Sequence, residues 1–571
     1  MYLQKTTGSL NPRGQQPQSL LQISTVRSFE GGLNVTDTDL NMSPKFAKTL
    51  DNMERQIDGS LALRPGTVFI AAQPDTTDIV NHVYFGGFIW TVQKSGQIAT
   101  TDGAGRIIVR APSATGTTPP AGSLWGPGVV FTDFTIFNSD LIITNGRDKP
   151  IIVAGDPLDP NFLVPKLLVD KASLSNLHTP IAKYVIAHGR YTIFAGKSDD
   201  LSSIFISAKD TSGTYVGDGA PNDAVNVDLG PRVSLGSATI TGMVAYRDKL
   251  LVTFERGVLP VNLGVYTGDP LVHTPTDDGF IEEFGCLSNR SLVSVGDDTF
   301  FCDNVGVNSI SRVNVFNTLR PVRASHLIDP LITQLIQPLS QDQIEQHVFA
   351  TYDLRNFRYM LFIPVFAADG VTVTETIAFS YTNIPALKIQ AWARLRGWVW
   401  QSAARTALQN VVFSRGNKLY AYDFDSPDQN ADRRNDPAVN GGTGEDVTFD
   451  WELPWADFRH RMDIKICKYL AMDTTGDATF TARAYVDNFV NKRGVDQAML
   501  TMQFVGGDAS GYGGSPYGTS PYGGGRRSSD ERLFGWNAKF KLLKLRFSGA
   551  TKRKLRFISI SIAYLHGSIR R

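Results

Sequence analysis

Seven short runs decide how this sequence folds: FGGFIWTV (85–92), NSDLIITN (138–145), HGRYTIFAG (188–196), YRDKLLVTF (246–254), VGDDTFFCD (295–303), LRNFRYMLFI (354–363) and RGNKLYAYD (415–423). In each, one or two turn residues lead into an apolar stretch too short for a helix, which reads as a strand entered from a hairpin. The turns fall near Gly86, Ser139, Gly189, Arg247, Asp297, Asn356 and Gly416, at intervals of 50–60 residues. A second turn and strand often follow closely, as at Glu255-Arg256-Gly257 before Val258 and Asn304–Gly306 before Val307. A repeat of this length holding several strands is the signature of propeller blades, small antiparallel sheets that cover their faces by stacking radially. The spacing exceeds the roughly 40–50 residues of common blade repeats, so long loops or insertions are expected. The alternative is a set of unrelated hairpins in two or three sandwiches.

Around this repeat the chain divides by composition. Residues 1–28 are polar and rich in Gln, Ser and Thr, and read as a flexible arm. Residues 29–79 form an attachment segment with a predicted helix: Ser43 as N-cap, Pro44 at the first helical position, then Phe46, Leu50 and Met53 as one apolar stripe. These three are candidate assembly contacts. Residues 80–424 hold the propeller-like domain, with a helical insertion predicted at 325–339 from Leu327, Leu331 and Leu335 between prolines. Residues 425–446 are polar and rich in Gly and Pro, and read as a linker. The C-terminal domain, 447–571, is β-rich, with Ile558, Ile560, Ile562 and Tyr564 alternating as in a half-buried strand. Within it a Gly/Tyr loop, 506–531, carries Tyr512, Tyr517 and Tyr522, further candidate contacts offering area at low entropic cost. The fold class is therefore mainly β: a propeller-like repeat with an N-terminal helix segment and a C-terminal β-rich domain.

Composition and charge narrow the chemistry. Hydrophobic residues make up 42% of 571 and charged residues 19%, enough to bury a core and too apolar for a disordered chain. From Arg526 to Arg571 there are 13 Lys/Arg against two acids, while the rest of the chain carries a net charge of −10. Lys541, Lys544, Arg546, Lys552, Arg553, Lys554 and Arg556 form a candidate basic interface, with a solvated basic strand edge as the plainer explanation. The three cysteines, Cys286, Cys302 and Cys467, make no CxxC, and the eight histidines no HExxH. No transition-metal site is expected, and 218–228 departs from the twelve-residue calcium loop. GxSxG and GxxxxGK[ST] are absent. The acid pairs Asp277/Asp278, Glu282/Glu283 and Asp297/Asp298 point to opposite faces if in strands, so none is a glycosidase couple. Neither a secretory apolar stretch nor 18 consecutive apolar residues occurs, so no cleaved signal or membrane-spanning helix is expected.

FEGGLN with Gly31-Gly32, then Asn52-Met53-Glu54, then Gly59-Ser60-Leu61-Ala62-Leu63-Arg64-Pro65-Gly66 resembles the opening of tail proteins from short-tailed bacteriophages. HGRYTIFAG followed by SSIFISAKD and AYRDKLLVTFERGVLPV is similar to podovirus tail nozzle proteins, as are the Gly/Tyr loop and the terminal basic strand ending in Gly-Ser-Ile-Arg-Arg. The resemblance implies a non-catalytic virion protein, made in a host cytoplasm and located in the tail, without cofactor. It further implies a homohexameric tube below the head-to-tail adaptor, conducting double-stranded DNA during ejection without sequence-specific binding and docking tail fibres or tailspikes. An acidic wall lets DNA slide. A carbohydrate-binding or carbohydrate-cleaving propeller is the alternative function, and another phage tail adaptor or hub component the second.

Overall fold

The structure is a computed structural model describing residues 21–26, 29, 31–112, 122–168, 179–210, 224–233, 237–263, 276–277, 279–282, 284–295, 298–313, 318–384, 389–408, 410–424, 430–458, 463–476, 478–487, 500–504, 530–535 and 539–566. The chain forms two compact units: a propeller unit, residues 69–378 and 398–422, and a second unit assembled from residues 1–68, 379–397 and 423–571.

Seven antiparallel blades are present among the described residues of the propeller unit. Their innermost strands are Ile79–Phe85, Asp133–Phe137, Ala182–His188, Ile240–Tyr246, Val293–Val295, Phe349–Asp353 and Ser402–Arg405. From the second to the seventh these strands neighbour one another in turn, and the seventh returns to the first; the first two blades share an apolar cluster. The first six turns read from the sequence are the hairpins that leave these inner strands. Gly416 is different: it joins the second and third strands of the seventh blade, Val411–Arg415 and Lys418–Asp423. The corresponding connection of the seventh blade runs from Arg405 to Val411 and is longer than most of the others.

The seventh blade is completed from the other end of the propeller sequence. The strand Gly66–Ala72 pairs beside Lys418–Asp423. Gln73 N donates to the Asn417 carbonyl at 2.8 Å, and Asn417 Nδ2 returns a bond to the Gln73 carbonyl at 2.9 Å. The segment 29–79 thus ends inside the propeller, and the ring is closed by main-chain hydrogen bonds.

Apolar side chains fill the wedges between blades. Leu141, Ile143 and Val153 meet Trp90, Val92 and Ile98 between the first two. Phe194 meets Ile142 and Ile152 between the next pair, and Ile193, Ile204 and Ile206 meet Leu250, Val252 and Leu259 after that. Cys286 and Cys302 are buried free thiols, and the Cys286 sulfur lies 3.2 Å from the Ser288 carbonyl. Between blades five and six come the helices Asp329–Ile336 and Gln341–His347. The first has Pro330 in its opening turn. The second, which the leucine spacing did not predict, starts with a Ser340/Gln343 capping box.

The second unit is two sheets closed over aromatic residues. One runs through Asp530–Gly535, Lys465–Thr475, Arg556–His566, Leu61–Leu63 and, at its edge, Met53–Arg55, with Gln22–Val26 paired to Arg556–His566. The other runs through Ile389–Trp398, Thr49–Asp51, Glu445–Glu452, Leu542–Thr551 and Phe480–Asp487. Phe557 from the first sheet meets Trp451 (5.2 Å), Phe480 (5.1 Å) and Phe547 (5.8 Å) from the second.

Two expectations are corrected in this unit. Residues 43–53 are not helical: Phe46–Ala47, Thr49–Asp51 and Met53–Arg55 are strands, and Asn52 between the last two has a φ of 58°. The i, i+4, i+7 spacing also suits short strands broken by a left-handed residue, and pairing with distant strands (Asp51 with Arg394, Leu50 with Trp451) overrides the local cap signal. Residues 430–446 are not a linker either: Asn430, Ala431 and Asp432 are buried, and Ala431–Asp432 pairs with Glu445–Glu452.

Candidate functional site

The N-terminal residues that carry part of the family resemblance, among them Gly32, Asn52, Glu54, Arg64 and Gly66, converge inside the second unit. Arg64 is 1% exposed; its Nε donates to Asn52 Oδ1 at 2.9 Å, and its two terminal nitrogens reach the Asp432 carboxylate at 2.9 and 2.5 Å. It also donates to the carbonyls of Pro65 (3.2 Å) and Arg396 (3.3 Å). Asn52 completes the knot, donating to the Thr448 carbonyl at 2.7 Å and accepting from Arg396 N at 2.8 Å. Two residues further along the motif, buried Glu54 accepts from the Ser380 hydroxyl at 2.8 Å. The glycines have steric reasons. A Cβ on Gly66 would lie 2.1 Å from the Ala431 carbonyl oxygen, and Gly32, at φ +66°, lies against the Trp392 backbone. These residues form a buried junction of the N-terminal, middle and C-terminal parts of the unit.

The sequence-predicted contact residues fare differently. Leu50 (2% exposed) and Met53 (0%) are core residues, unavailable to a partner, and Phe46 is half-buried over Gly31. Tyr512, Tyr517 and Tyr522 lie outside the described residues. Three members of the basic group are held by carboxylates of the same unit. Lys544 meets Glu452 at 2.8 Å, Arg546 clamps Asp450 through two nitrogens, one at 2.8 Å, and Arg556 meets Asp58 at 2.7 Å. Against the effect of burial, the Ser60 hydroxyl and amide and then the Arg556 charge hold the Asp58 carboxyl below its ordinary range. Register explains two of the pairs: Glu452 lies opposite Arg546 and Asp450 opposite Ser548, so basic and acidic side chains share one face. The basic Lys541 uses its carbonyl to accept from the buried Lys465 ammonium at 3.1 Å. Lys552, Arg553 and Lys554 occupy the turn between Leu542–Thr551 and Arg556–His566, where Arg553 and Lys554 are exposed.

The axis of the propeller unit carries a polar cluster without any sequence motif. Inner strands diverge there, leaving backbone groups that side chains of neighbouring blades satisfy. Asn81 of blade one donates to the Thr132 carbonyl before blade two (3.0 Å). Asp133 of blade two accepts from Val185 N of blade three (3.0 Å) and from Asn289 Nδ2 (3.0 Å), and Asn289 Oδ1 accepts from Met243 N of blade four (3.0 Å). Arg290, stacked 5.2 Å over Phe349, donates to the carbonyls of Gln346 (2.6 Å) and Gln401 (2.8 Å), spanning blades five to seven. Lys183 pairs with Glu345 at 2.8 Å. His82 joins blade one to blade seven: Nε2 lies 3.0 Å from the Val412 carbonyl, Nδ1 2.6 Å from Ser402 Oγ. A carbonyl only accepts, so Nε2 carries the proton and Nδ1 accepts.

The cluster shifts its own titrations. Burial pulls His82 down to about 4 and His347 likewise to about 4, the latter helped by the Arg290 charge. Burial pushes Asp133 up to about 6 despite the bonds from Val185, Phe134 and Asn289, and draws Arg290 down to about 10, still a cation at neutral pH. The signs oppose. His82 charges only in the unfolded chain between pH 6.5 and 4, so stability falls as pH drops through that window. Asp133 is protonated first in the folded protein, so below pH 6 it offsets part of that loss. For buried His82 the loss between pH 7 and 5 is about 2 kcal/mol. The urea midpoint of the propeller unit's own transition is expected to fall less on acidification from pH 7 to 5 in His82→Gln than in the parent. An equal loss in the two proteins contradicts the assignment.

Among the described residues no group of three His, Cys, Asp or Glu is placed to hold a metal ion, and no helix is long and apolar enough to cross a membrane. No family model and no curated protein matches the chain. Among solved structures it is similar to streptogramin B lyase (10% identity, TM-score 0.36, 62% of this chain and 95% of that one). It is also similar to the WD40 β-propeller domain of Doa1 (10%, 0.29, 62% and 96%) and to YCF48 bound to D1 peptide (9%, 0.34, 62% and 96%). The chain is a mainly β protein containing a β-propeller. That rests on its own strand order, and likenesses this distant add nothing about activity.

Proposed function

We propose that this chain is a non-catalytic structural subunit of the tail nozzle of a short-tailed phage, six copies of which form the conduit for genome ejection below the adaptor. The supporting observation is the buried junction of Asn52, Arg64, Gly66 and Asp432. The short motifs that resemble nozzle proteins are invested in architecture, as expected of a protein whose function is its shape. Tail fibres or tailspikes dock on the outside of the assembled tube, and DNA passes without sequence readout.

Negative-stain microscopy and mass photometry of the purified protein test this. Rings or short tubes near six chain masses, or six copies added to tail-less heads that carry the adaptor, are expected. A chain that stays monomeric and leaves such heads unoccupied overturns the reading. Attachment is assigned to residues 1–20 and not to the segment 29–79, because Thr49–Asp51, Met53–Arg55 and Leu61–Leu63 are strands of the second unit's own sheets. Deleting 2–20 is expected to leave a folded protein that no longer joins heads; normal joining refutes the assignment.

A further inference from the structure

Strands from both sheets of the second unit line an apolar hollow of about 270 Å³. Its inner wall is Leu543 and Leu545 from Leu542–Thr551 with Ile560 and Ile562 from Arg556–His566, all buried. Its lip is Leu40, 46% exposed, with exposed Pro44 and half-buried Trp455. Hydrogen bonds hold that shape. Leu453 N donates to the Leu545 carbonyl and Ala456 N to the Leu543 carbonyl, both at 2.9 Å, and Lys544 Nζ sits 5.2 Å over the Trp455 ring. A hollow with pinned walls is preorganised, so filling it gains burial at little cost in rearrangement.

Size and position select what fills it. An engineered apolar cavity of about 150 Å³ takes up benzene, whereas small-molecule pockets run to roughly 300–1,000 Å³. The hollow therefore suits one or two large side chains and is small for a whole metabolite. Ser24 and Val26 also line it, and they belong to Gln22–Val26, whose one strand partner among the described residues is Arg556–His566. The twenty residues ahead of Leu21 thus enter the unit three residues from the hollow, roughly 10 Å along a strand. That stretch, MYLQKTTGSLNPRGQQPQSL, has Met1, Tyr2, Leu3, Leu10 and Leu20 as its large apolar residues, and only the first three are contiguous. At about 3.3 Å per residue, the chain between Leu3 and Leu20 spans far more than the distance required. Charge agrees. The stretch carries Lys5 and Arg13 and no acid, and the charged residue of the lining is exposed Asp457, which also lies in the field of Lys465.

We propose that Tyr2 and Leu3 fold back over the strand they lead into and fill this hollow of their own chain, with Lys5 beside Asp457. Tethering favours the chain's own residues, because a short flexible link holds them at an effective concentration of millimolar order. Tyr2 and Leu3 then bury apolar surface against aliphatic walls that are otherwise open to water at the lip. The contact lies within one unit of the isolated chain and does not depend on the nozzle reading. In a chain that joins heads through residues 1–20, the hollow is where this arm rests until a partner takes it.

Photocrosslinking within the full chain tests this. With benzoylphenylalanine in place of Tyr2, light is expected to join position 2 to residues 40–44, 453–458, 543–545 or 560–562 of the same molecule, at a yield independent of protein concentration. Adducts confined to other regions, no adduct, or adducts formed only between chains overturn it, the last in favour of an arm exchanged between copies. Hydrogen exchange of the full chain gives a second readout. The Leu453 and Ala456 amides should exchange about tenfold faster or more in Tyr2→Ser/Leu3→Ser, the scale of one or two large side chains returned to water. Leu40→Arg, at the exposed lip, should do the same, while Leu10→Ser leaves both amides unchanged. Circular dichroism matching the parent verifies that each variant folds. Rates equal to the parent in the double variant, or acceleration in Leu10→Ser, overturn the assignment.

Discussion

Replacing Arg64 with Ala is expected to destabilise the second unit by about 3–5 kcal/mol, the scale for breaking a buried ion pair by removing one partner. The change strands the Asp432 carboxylate, which loses both terminal nitrogens, and deprives Asn52 Oδ1 of the Nε donor. Arg64→Lys should recover little. One ammonium cannot span Asn52, both Asp432 oxygens and the Arg396 carbonyl at once, because it lacks the planar fork. Removing the stranded charge as well, in Arg64→Ala/Asp432→Ala, should return part of the loss, since the two side chains act as a unit. A chain of this size does not unfold in one step, so native-state hydrogen exchange of the amides in Leu61–Leu63 and Glu445–Glu452 is the appropriate measurement. Exchange faster by roughly two to four orders of magnitude is expected. A change within a factor of ten would show that the junction is not a keystone.

Arg290→Ala should loosen the propeller unit by about 2–4 kcal/mol, the worth of two charge-assisted bonds at a half-buried site together with the contact over Phe349. The carbonyls of Gln346 and Gln401 then face the axis without this donor, and Asp133 loses the nearby cation. The effect should be directional. Amides of Phe349–Asp353 and Ser402–Arg405, in blades six and seven, are expected to exchange faster, while those of Ala182–His188 change little. Uniform acceleration around the ring would mean that Arg290 acts on global stability, and no change that the closing strand Gly66–Ala72 holds the ring alone.

The pairing of Lys544, Arg546 and Arg556 with Glu452, Asp450 and Asp58 also alters the meaning of the charge distribution. An acidic body and a basic tail look like a charged surface awaiting a partner, yet much of the asymmetry is neutralised across adjacent strands and loops of one unit. What stays outward is Arg553 and Lys554, while Lys552 beside them reaches Thr443 of the Gly441–Gly444 loop. A glycine-rich loop was visible at those positions, but nothing in the linear order pairs it with a turn more than a hundred residues later.

Sequence alone determined the elements whose signals are local. Turn residues followed by short apolar runs at intervals of 50–60 residues specify hairpins whatever their surroundings, because φ preferences and alternate burial act within a few residues. The propeller follows from that repetition, and Pro330 marks the start of the inserted helix by its fixed φ. Only the tertiary structure decided what rests on distant partners. Phe46, Leu50 and Met53 have helical spacing, but Thr49–Asp51 finds strands at 394 and 450, and cross-strand pairing outweighs a weak helix propensity. The polar stretch after 425 reads as a linker until Asp432 meets Arg64 across 368 residues, and His82 seals the ring only because Ser402 and Val412 arrive beside it. Those contacts obey the same chemistry as the local ones, but loop closure brings them together, and no window of sequence contains both halves.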